Sequence, residues 1–201
     1  MRTPPIGFTE DNFCAVLSGL KTETRRLSSG RDRPKYGVGD YCYLTEPTRI
    51  VLAPDQSLYY QIEYFWHNPK TILKPVTQDD IAKILGRKTG IYSKQIARFM
   101  LKSFARYWIE ITDVRLERLL DITVEAAIAE GIEKDPMGGK HGAVYLDYVN
   151  QVYEPMFSPI DSYLSEIAYI HKPTKDKIGG WDLVKSNPWV WVYRFKLLEV
   201  K

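Results

Sequence analysis

The chain has 201 residues, a formal net charge of +3, 44% apolar residues and 26% charged residues. This size and composition are typical of a globular protein, and the 13% aromatic content argues against disorder along the whole chain. The mild charge means that any nucleic-acid surface must be local, and the lack of a long apolar run or secretory signal predicts a cytoplasmic protein without a membrane span.

The cysteines and histidines are too scattered to predict a metal site. Cys14 and Cys42 lie far apart without a CxxC pair, which excludes a disulfide framework as well. His67, His141 and His171 stand singly, without the spacing of metal ligands. We therefore expect neither a metal nor a cofactor.

The first predicted element is a helix over residues 9–19. Thr9 is suited to the N-cap, and Gly19 is suited to the position just after the helix. The helix has one apolar stripe, formed by Phe13, Val16, Leu17 and Leu20. The next segment, "SSGRDRPKYGVGD", is rich in Gly, Ser and charge, which predicts a loop.

Four later segments have the composition of strands. The first two are "DYCYLTEP", which Pro47 ends, and "SLYYQIEYFW" at 57–66. The third is "ARYWIEITDVRLERL", where Trp108, Glu110 and Thr112 are expected to face away from Ile109 and Ile111. The fourth is "NPWVWVYRFKLLEV" near the end of the chain. Its alternating Trp189 and Trp191 are interpreted as sheet residues rather than a base-stacking platform.

Four further helices are predicted between these strands. They are a short helix from Thr77 to Gly86, the segment "VEAAIAE" between Thr123 and Gly131, residues 142–156, and a helix from Ser158 and Pro159 to about 168. The segment "KPTKDKIGG" reads as a linker. Strands from the start, middle and end of the chain predict a closed or nearly closed antiparallel sheet in one α+β domain over residues 1–201. The segments at about 48–98 and 133–187 are interpreted as elaborations of that domain.

The basic stretch "SGLKTETRRL" is the first candidate site. A continued helical turn would place Lys21 and Thr24 on one face, whereas an extended backbone would place them on opposite faces. A tight irregular turn could again bring them together. A threonine hydroxyl needs a nearby base, and a lysine serves as one only where burial or positive charge favours its neutral form. Arg25 and Arg26 supply such charge and also suit phosphate. The alternative is a solvated basic turn that complements the helix C-terminus.

Two glutamates are further candidates. Glu130 lies in the last turn of its predicted helix, where the negative end of the dipole disfavours a carboxylate by roughly 0.3–1 kcal/mol. Such a carboxylate is suited to donating a proton, although simple exposure to solvent would explain it equally well. Glu46 ends a strand at the rim of the sheet, where it could contact a ligand or pair with an arginine such as Arg25 or Arg26.

Basic residues also recur every four positions, at Lys94, Arg98, Lys102 and Arg106. On a helix they would form one stripe, interleaved with Phe99 and Phe104. Such a stripe could follow a phosphate backbone or could be an ordinary solvated helix face.

Four ordered blocks of the sequence resemble the ASCH family. They are "GLKTETRR", "GVGDYCYLTEP", "ITDVRLERLLDITVEAAIAEGI" and "NPWVWVYRF". Their order and spacing are most similar to the longer ASCH proteins of phages and prophages. The resemblance implies a PUA-like antiparallel β-barrel with flanking helices and two insertions, whose cleft faces RNA, nucleosides or modified bases.

The resemblance also implies roles for three residues. One small bacterial branch of the family, N(4)-acetylcytidine amidohydrolase, uses a lysine, a threonine and a glutamate that match Lys21, Thr24 and Glu130. The implied function is a nucleoside- or RNA-directed hydrolase that cleaves an amide bond on an acylated cytidine-like base. Arg25, Arg26, Glu46 and the basic stripe would bind the substrate. The alternatives are a non-catalytic module that binds RNA or a modified nucleotide, and a metal-independent ribonuclease.

Overall fold

The computed structural model describes residues 2–28, 33–52, 59–66, 71–75, 80, 83, 96–132, 158–171, 173–174 and 177–198. The chain divides into two compact units. Unit 1 comprises residues 1–14, 39–110 and 197–201, and unit 2 comprises residues 15–38 and 111–196. The single domain expected from the sequence stays a prediction.

The described residues contain eight strands and four α-helices, numbered here in chain order. The strands are β1 (Pro5–Gly7), β2 (Glu23–Leu27), β3 (Tyr41–Thr45), β4 (Thr48–Leu52), β5 (Tyr59–Tyr64), β6 (Thr71–Pro75), β7 (Trp108–Arg118) and β8 (Trp189–Leu198). The helices are α1 (Glu10–Leu17), α2 (Val124–Ala129), α3 (Pro159–Ile170) and α4 (Gly180–Lys185). Short 3-10 turns cover Ala97–Phe99, Lys102–Phe104 and Leu119–Asp121. None of the described helices is long and apolar enough to cross a membrane.

Two sheets organise these strands. Five strands follow the order β1-β3-β7-β8-β2, and three follow the order β4-β5-β6. In unit 1, β1 runs parallel to β3, β3 runs antiparallel to the start of β7, and the three-stranded sheet is an antiparallel meander. In unit 2, β2 runs antiparallel to β8, with Arg25 opposite Val192. The α+β class is therefore confirmed.

The sequence predicted a closed or nearly closed antiparallel sheet, and the described strands do not show closure. The pair β1 and β3 is parallel, and β1 and β2 stand at the two ends of the strand order, so no pairing among the described strands closes the sheet. Strand β1 was not predicted, because its three residues are too few to show a pattern. No strand was predicted at β4 or β6 either, and no helix at α4.

Local signals placed several elements correctly. The Oγ1 of Thr123 accepts a hydrogen bond from the Ala126 N–H at 3.2 Å and begins α2. Ser158 forms a reciprocal capping box with Asp161, and Pro159 follows in the first turn of α3. The predicted helices at 77–86 and 142–156 lie outside the described residues, apart from Asp80 and Lys83.

Each unit has its own apolar core. β7 alternates as expected, since Ile109 and Ile111 are buried and Thr112 is exposed. The core of unit 1 consists of Tyr43, Ile50, Ile62, Tyr64, Met100 and Phe104. In unit 2, α2, α3 and α4 cover one face of β8 with a core that consists of Leu119, Ile122, Ala127, Tyr163, Leu164, Ala168, Val184, Val190 and Val192.

Candidate active site

The basic stretch continues into an extended strand. Helix α1 ends at Leu17, and Gly19 adopts the left-handed φ of 78° that a glycine tolerates best. The Lys21 N–H then donates to the Ala15 carbonyl at 3.0 Å, which holds the turn against the end of α1. The Thr22 carbonyl accepts from the Phe195 N–H at 3.0 Å, so the chain is already aligned with β8 before β2 begins.

Helix α2 brings Glu130 to the same place. Glu130 is the C-cap residue of α2, and Gly131 turns the chain away with a φ of 94°. Lys21 and Glu130 form an isolated antiparallel bridge. The adjacent Thr22 N–H donates to the Ala129 carbonyl at 2.8 Å. Two segments that are distant in the sequence are thus joined through their backbones.

The side chains of Lys21 and Glu130 are in direct contact. The Lys21 Nζ donates a hydrogen bond to the Glu130 carbonyl oxygen at 2.6 Å and another to the Glu130 Oε2. Both side chains are only 4% exposed. The ammonium therefore stabilises the carboxylate and the last carbonyl of α2 at once, which compensates for a negative charge at the negative end of a helix.

Arg25 connects this pair to two other carboxylates. Its Nη1 donates to the Glu130 Oε1 at 3.3 Å. Its Nη2 lies 2.9 Å from the Glu23 Oε1 and donates to the Glu117 Oε2 at 3.3 Å. The Arg25 side chain is 1% exposed. These contacts hold Glu130 in place, which gives Arg25 a positioning role. The substrate contact expected for Arg25 from the sequence stays a prediction.

Further ion pairs surround Arg25. Arg115 contacts Glu23 at 2.9 Å and Asp113 at 3.0 Å, and it also donates to Glu117. Burial lowers the pKa of Arg115, but its hydrogen bonds to these three carboxylates outweigh burial and raise the pKa above its usual value. The second carboxylate oxygen of Glu23, Oε2, lies 3.5 Å from the Arg194 Nη2. The positive and negative charges of the cluster nearly balance.

A buried ionic cluster of this kind is expensive. Removing each ion from water costs several kcal/mol, and well-packed apolar side chains often stabilise a fold as well or better. Clusters that retain such charges are enriched at functional sites, since the same arrangement controls where protons reside. The Lys21–Glu130 pair with Arg25 is therefore our candidate active site.

No described hydrogen bond joins Thr24 to this pair. It lies opposite Tyr193 in the ladder of β2 and β8, next to Arg25. Successive side chains of a strand point to opposite faces, so Thr24 points away from the face on which Arg25 reaches Glu130. The described hydrogen bonds of the Lys21 Nζ go to Glu130. Of the arrangements that the sequence left open, the structure has the extended one from Glu23 onwards.

Arg26 was expected beside Lys21, but the buried arginine of the site is Arg25. Arg26 is exposed, on the face of β2 that carries Thr24. It lies close enough to His171 to affect its titration. Burial and then the Arg26 charge lower the pKa of His171 below its usual value.

Gly131 gives a direct test of this geometry. A Cβ at Gly131 would lie 3.2 Å from the Lys21 Cβ and 3.3 Å from the Ala15 Cβ, and the φ of 94° strains any other residue. We expect Gly131→Ala to lower the free energy of unfolding by about 1–3 kcal/mol in urea titrations. Gly39→Ala is the control, because Gly39 has a φ of 81° but no atom within 4 Å of the place that an added methyl group would take. Equal losses in both variants would contradict a close approach at Gly131.

Glu46 and Arg106 form a second buried pair, which lies within unit 1. The Arg106 Nε donates to the Glu46 Oε1 at 2.8 Å and its Nη2 to Oε2 at 2.6 Å. The guanidinium carbon lies 4.2 Å from the Tyr64 ring centroid and 5.1 Å from that of Tyr107. Burial raises the pKa of Tyr64 to about 12, although the Arg106 charge opposes the shift. Of the two roles that the sequence left open for Glu46, the structure shows the pairing with an arginine.

Arg106 binds both oxygens of the Glu46 carboxylate, so lysine is a poor substitute at this position. We expect Arg106→Lys to lower the free energy of unfolding by about 1–3 kcal/mol, because an ammonium cannot bind both Glu46 oxygens and stack on Tyr64 in the same geometry. Urea titration measures the loss. Arg98→Lys, at an exposed position, should stay within about 0.5 kcal/mol of the parent. An Arg106→Lys variant as stable as Arg98→Lys would show that the fork geometry contributes little.

The predicted basic stripe is not one helix. Two separate 3-10 turns contain Arg98 and Lys102, and Arg106 is drawn into its pair with Glu46. Both Arg98 and Lys102 are exposed, and the Lys102 Nζ donates to the Thr3 Oγ1 at 2.8 Å. The fourth residue of the stripe, Lys94, lies outside the described residues. The single helix predicted from the spacing of four is wrong, because the non-helical backbone of Met100 and Leu101 separates the two 3-10 turns.

The carboxylates around Arg25 were not predicted from the sequence. Glu23 lies two residues before Arg25, and Arg115 lies between Asp113 and Glu117 at the same spacing of two. Alternating opposite charges in "ETR" and "DVRLE" could have indicated ion pairs along one face of neighbouring strands.

No group of three or more acidic, His or Cys residues in the described part of the chain could hold a metal ion.

Comparison with known proteins returned one structural similarity. No family model matches the chain, and no curated protein matches it. The solved structure of an ASCH domain from Lactobacillus crispatus JV V101 is similar, with 12% sequence identity and a TM-score of 0.38. The similarity covers 98% of this chain and 79% of that one. At this TM-score the similarity carries no argument about function, which therefore rests on the residues themselves.

Proposed function

We propose that this chain is an ASCH-type hydrolase that acts on nucleosides or RNA and cleaves an amide bond on an acylated cytidine-like base. The observation that carries the proposal is the buried contact between Lys21 and Glu130. The proposal also includes a PUA-like barrel fold and a similarity to the longer ASCH proteins of phages and prophages. The protein would act in the cytoplasm, which is the cytoplasm of the host cell if a phage encodes it.

The pair is suited to proton transfer. In the resting state Lys21 is an ammonium and Glu130 a carboxylate. Moving one proton along their hydrogen bond leaves a neutral amine and a neutral carboxylic acid. One proton transfer therefore generates both the base and the acid that amide hydrolysis requires.

The hydrolysis then balances without an added group. The Lys21 amine accepts a proton from the nucleophile, whose oxygen forms a bond to the acyl carbon. The carbon–nitrogen bond breaks, and the departing exocyclic amine takes the proton of the Glu130 carboxylic acid. The products are a carboxylic acid and the deacylated nucleoside with its exocyclic amine, and the enzyme returns to its ammonium and carboxylate.

The nucleophile is a water molecule in this scheme. The family resemblance allowed two alternatives, direct attack by the Thr24 hydroxyl and attack by a water molecule that Thr24 positions. The alternation along β2 favours water, because Thr24 faces away from the side of the strand on which Arg25 meets Glu130.

The test is incubation with a panel of acylated and otherwise modified nucleosides that includes N4-acetylcytidine, analysed by chromatography. We expect the parent chain to convert N4-acetylcytidine to cytidine and acetate, and Lys21→Ala to form no cytidine. Thr24→Ala should keep activity within about tenfold of the parent, whereas a loss as complete as that of Lys21→Ala would assign the attack to Thr24. Full activity in Lys21→Ala would remove the lysine from the mechanism.

Exposed groups in unit 1 favour a second candidate, a non-catalytic module that binds RNA or a modified nucleotide. Arg98 is exposed, its guanidinium carbon lies 6.0 Å from the Phe99 ring centroid, and the Phe99 side chain is 42% exposed. Such a pair can contact a phosphate and stack on a base. RNA affinity that falls steeply with salt, without turnover of any nucleoside, would favour this candidate.

Cleavage of RNA in the presence of a chelator would instead favour the metal-independent ribonuclease.

A further inference from the structure

Three buried polar atoms around the candidate site have no hydrogen-bond partner among the described residues. They are the Glu23 Oε2, the Arg25 Nε and the Tyr163 hydroxyl. The Arg194 Nη2, at 3.5 Å from the Glu23 Oε2, is close enough for an ion pair but lacks hydrogen-bond geometry. Folded proteins form hydrogen bonds to nearly all such groups. A buried polar atom without a partner has lost its hydrogen bonds to water and gained none in the protein, which destabilises the fold.

Tyr163 is the least expected of the three. It lies on α3, is 3% exposed and belongs to the apolar core of unit 2, where a phenylalanine would fill the same space. The Arg25 guanidinium carbon lies 6.0 Å from the centre of its ring. Burial, and next the charge of Glu130, raise the pKa of Tyr163 well above its usual value. The phenol therefore keeps its proton at neutral pH and can donate it to a hydrogen bond.

We propose that the Tyr163 hydroxyl and the Arg25 Nε–H are the two donors that bind the carbonyl oxygen of the acyl group, an inference that rests on the function proposed above. Two donors that converge on one oxygen suit the negative charge that develops there when the nucleophile attacks. In the free protein both atoms are closed to solvent. The groups that cover these two atoms therefore have to move when the ligand binds, and its binding relieves the unsatisfied state.

Tyr163→Phe removes the hydroxyl and nothing else. We expect kcat for N4-acetylcytidine to fall about 100-fold, while Tm stays the same or rises because an unsatisfied buried group has been deleted. Tyr169→Phe is the matched control, since Tyr169 lies on the same helix and is 64% exposed, and we expect kcat and Tm like those of the parent. An unchanged kcat, or a Tm that falls together with kcat, would overturn the inference.

Calorimetric binding of N4-acetylcytidine separates this inference from the proposed function. If the parent binds the nucleoside without cleaving it, and Tyr163→Phe binds at least about tenfold more weakly, the hydrolase proposal fails and the assignment of Tyr163 stands. If the parent hydrolyses the nucleoside and Tyr163→Phe does so equally well, only the inference fails. If the parent neither binds nor cleaves any nucleoside of the panel, both fail.

Discussion

Lys21→Arg should lose about 10²–10⁴-fold in activity on the nucleoside that the parent chain hydrolyses, although the variant keeps a positive charge next to Glu130. A guanidinium can pair with the carboxylate and with the carbonyl at the end of α2, but it does not give up a proton in a protein. General acid–base catalysis contributes about this much to enzymatic rates. The measurement is kcat/KM from initial rates by chromatography.

Stability distinguishes a lost proton acceptor from a damaged fold. Lys21→Met removes the charge, so we expect it to be less stable than Lys21→Arg, while both are equally inactive. Lys35→Arg is the matched control, since Lys35 is exposed, and its activity should match that of the parent. A Lys21→Arg variant with more than about a tenth of the parent activity would show that Lys21 acts only through its charge.

A double-mutant cycle should show strong coupling between Lys21 and Glu130. Lys21→Met leaves Glu130 buried with Arg25 as its remaining described cation at 3.3 Å, and breaking a buried pair in this way costs about 3–5 kcal/mol. Adding Glu130→Leu removes the stranded charge, so the double variant should be more stable than the sum of the single losses predicts, by about 2–3 kcal/mol. Urea titrations of the parent and the three variants give the coupling energy.

The pair of Arg49 and Glu63 serves as the exposed comparison for this cycle. Their side chains are 44% and 26% exposed, and the Arg49 Nη2 lies 2.5 Å from the Glu63 Oε2. Solvent screens such a pair, so the same cycle there should give less than about 1 kcal/mol. A Lys21–Glu130 coupling no larger than that of Arg49 and Glu63 would mean that the buried pair is not specially stabilised.

Elements with local signals were predictable from the sequence. Thr123 and Ser158 begin α2 and α3 because their side chains bind N–H groups only three residues ahead. β7 was predictable because apolar and polar residues alternate along it. β1 has three residues, too few to show a pattern, and β2 carries charges on the face that β8 and the helices bury.

The candidate site was predictable only in part. Lys21 and Glu130 were singled out separately, the lysine by its basic turn and the glutamate by its position at a helix C-terminus. The placement of Thr24 depends on whether the chain is helical or extended after Gly19, and the sequence allowed both. The extended form prevails because the backbones of Thr22 and β2 bond to α2 and β8, which are distant in sequence.

The amino-acid sequence by itself determined where α2 and α3 begin, which face of β7 is apolar, and which residues can exchange a proton. These properties depend on neighbours within about four positions. Only the tertiary structure decided that Lys21 meets Glu130, that Arg25 instead of Arg26 supports the carboxylate, and that Tyr163 lies beside them. The reason is physical: an ion pair can be buried only where separate segments together supply all of its partners, and no local pattern records which segments will meet.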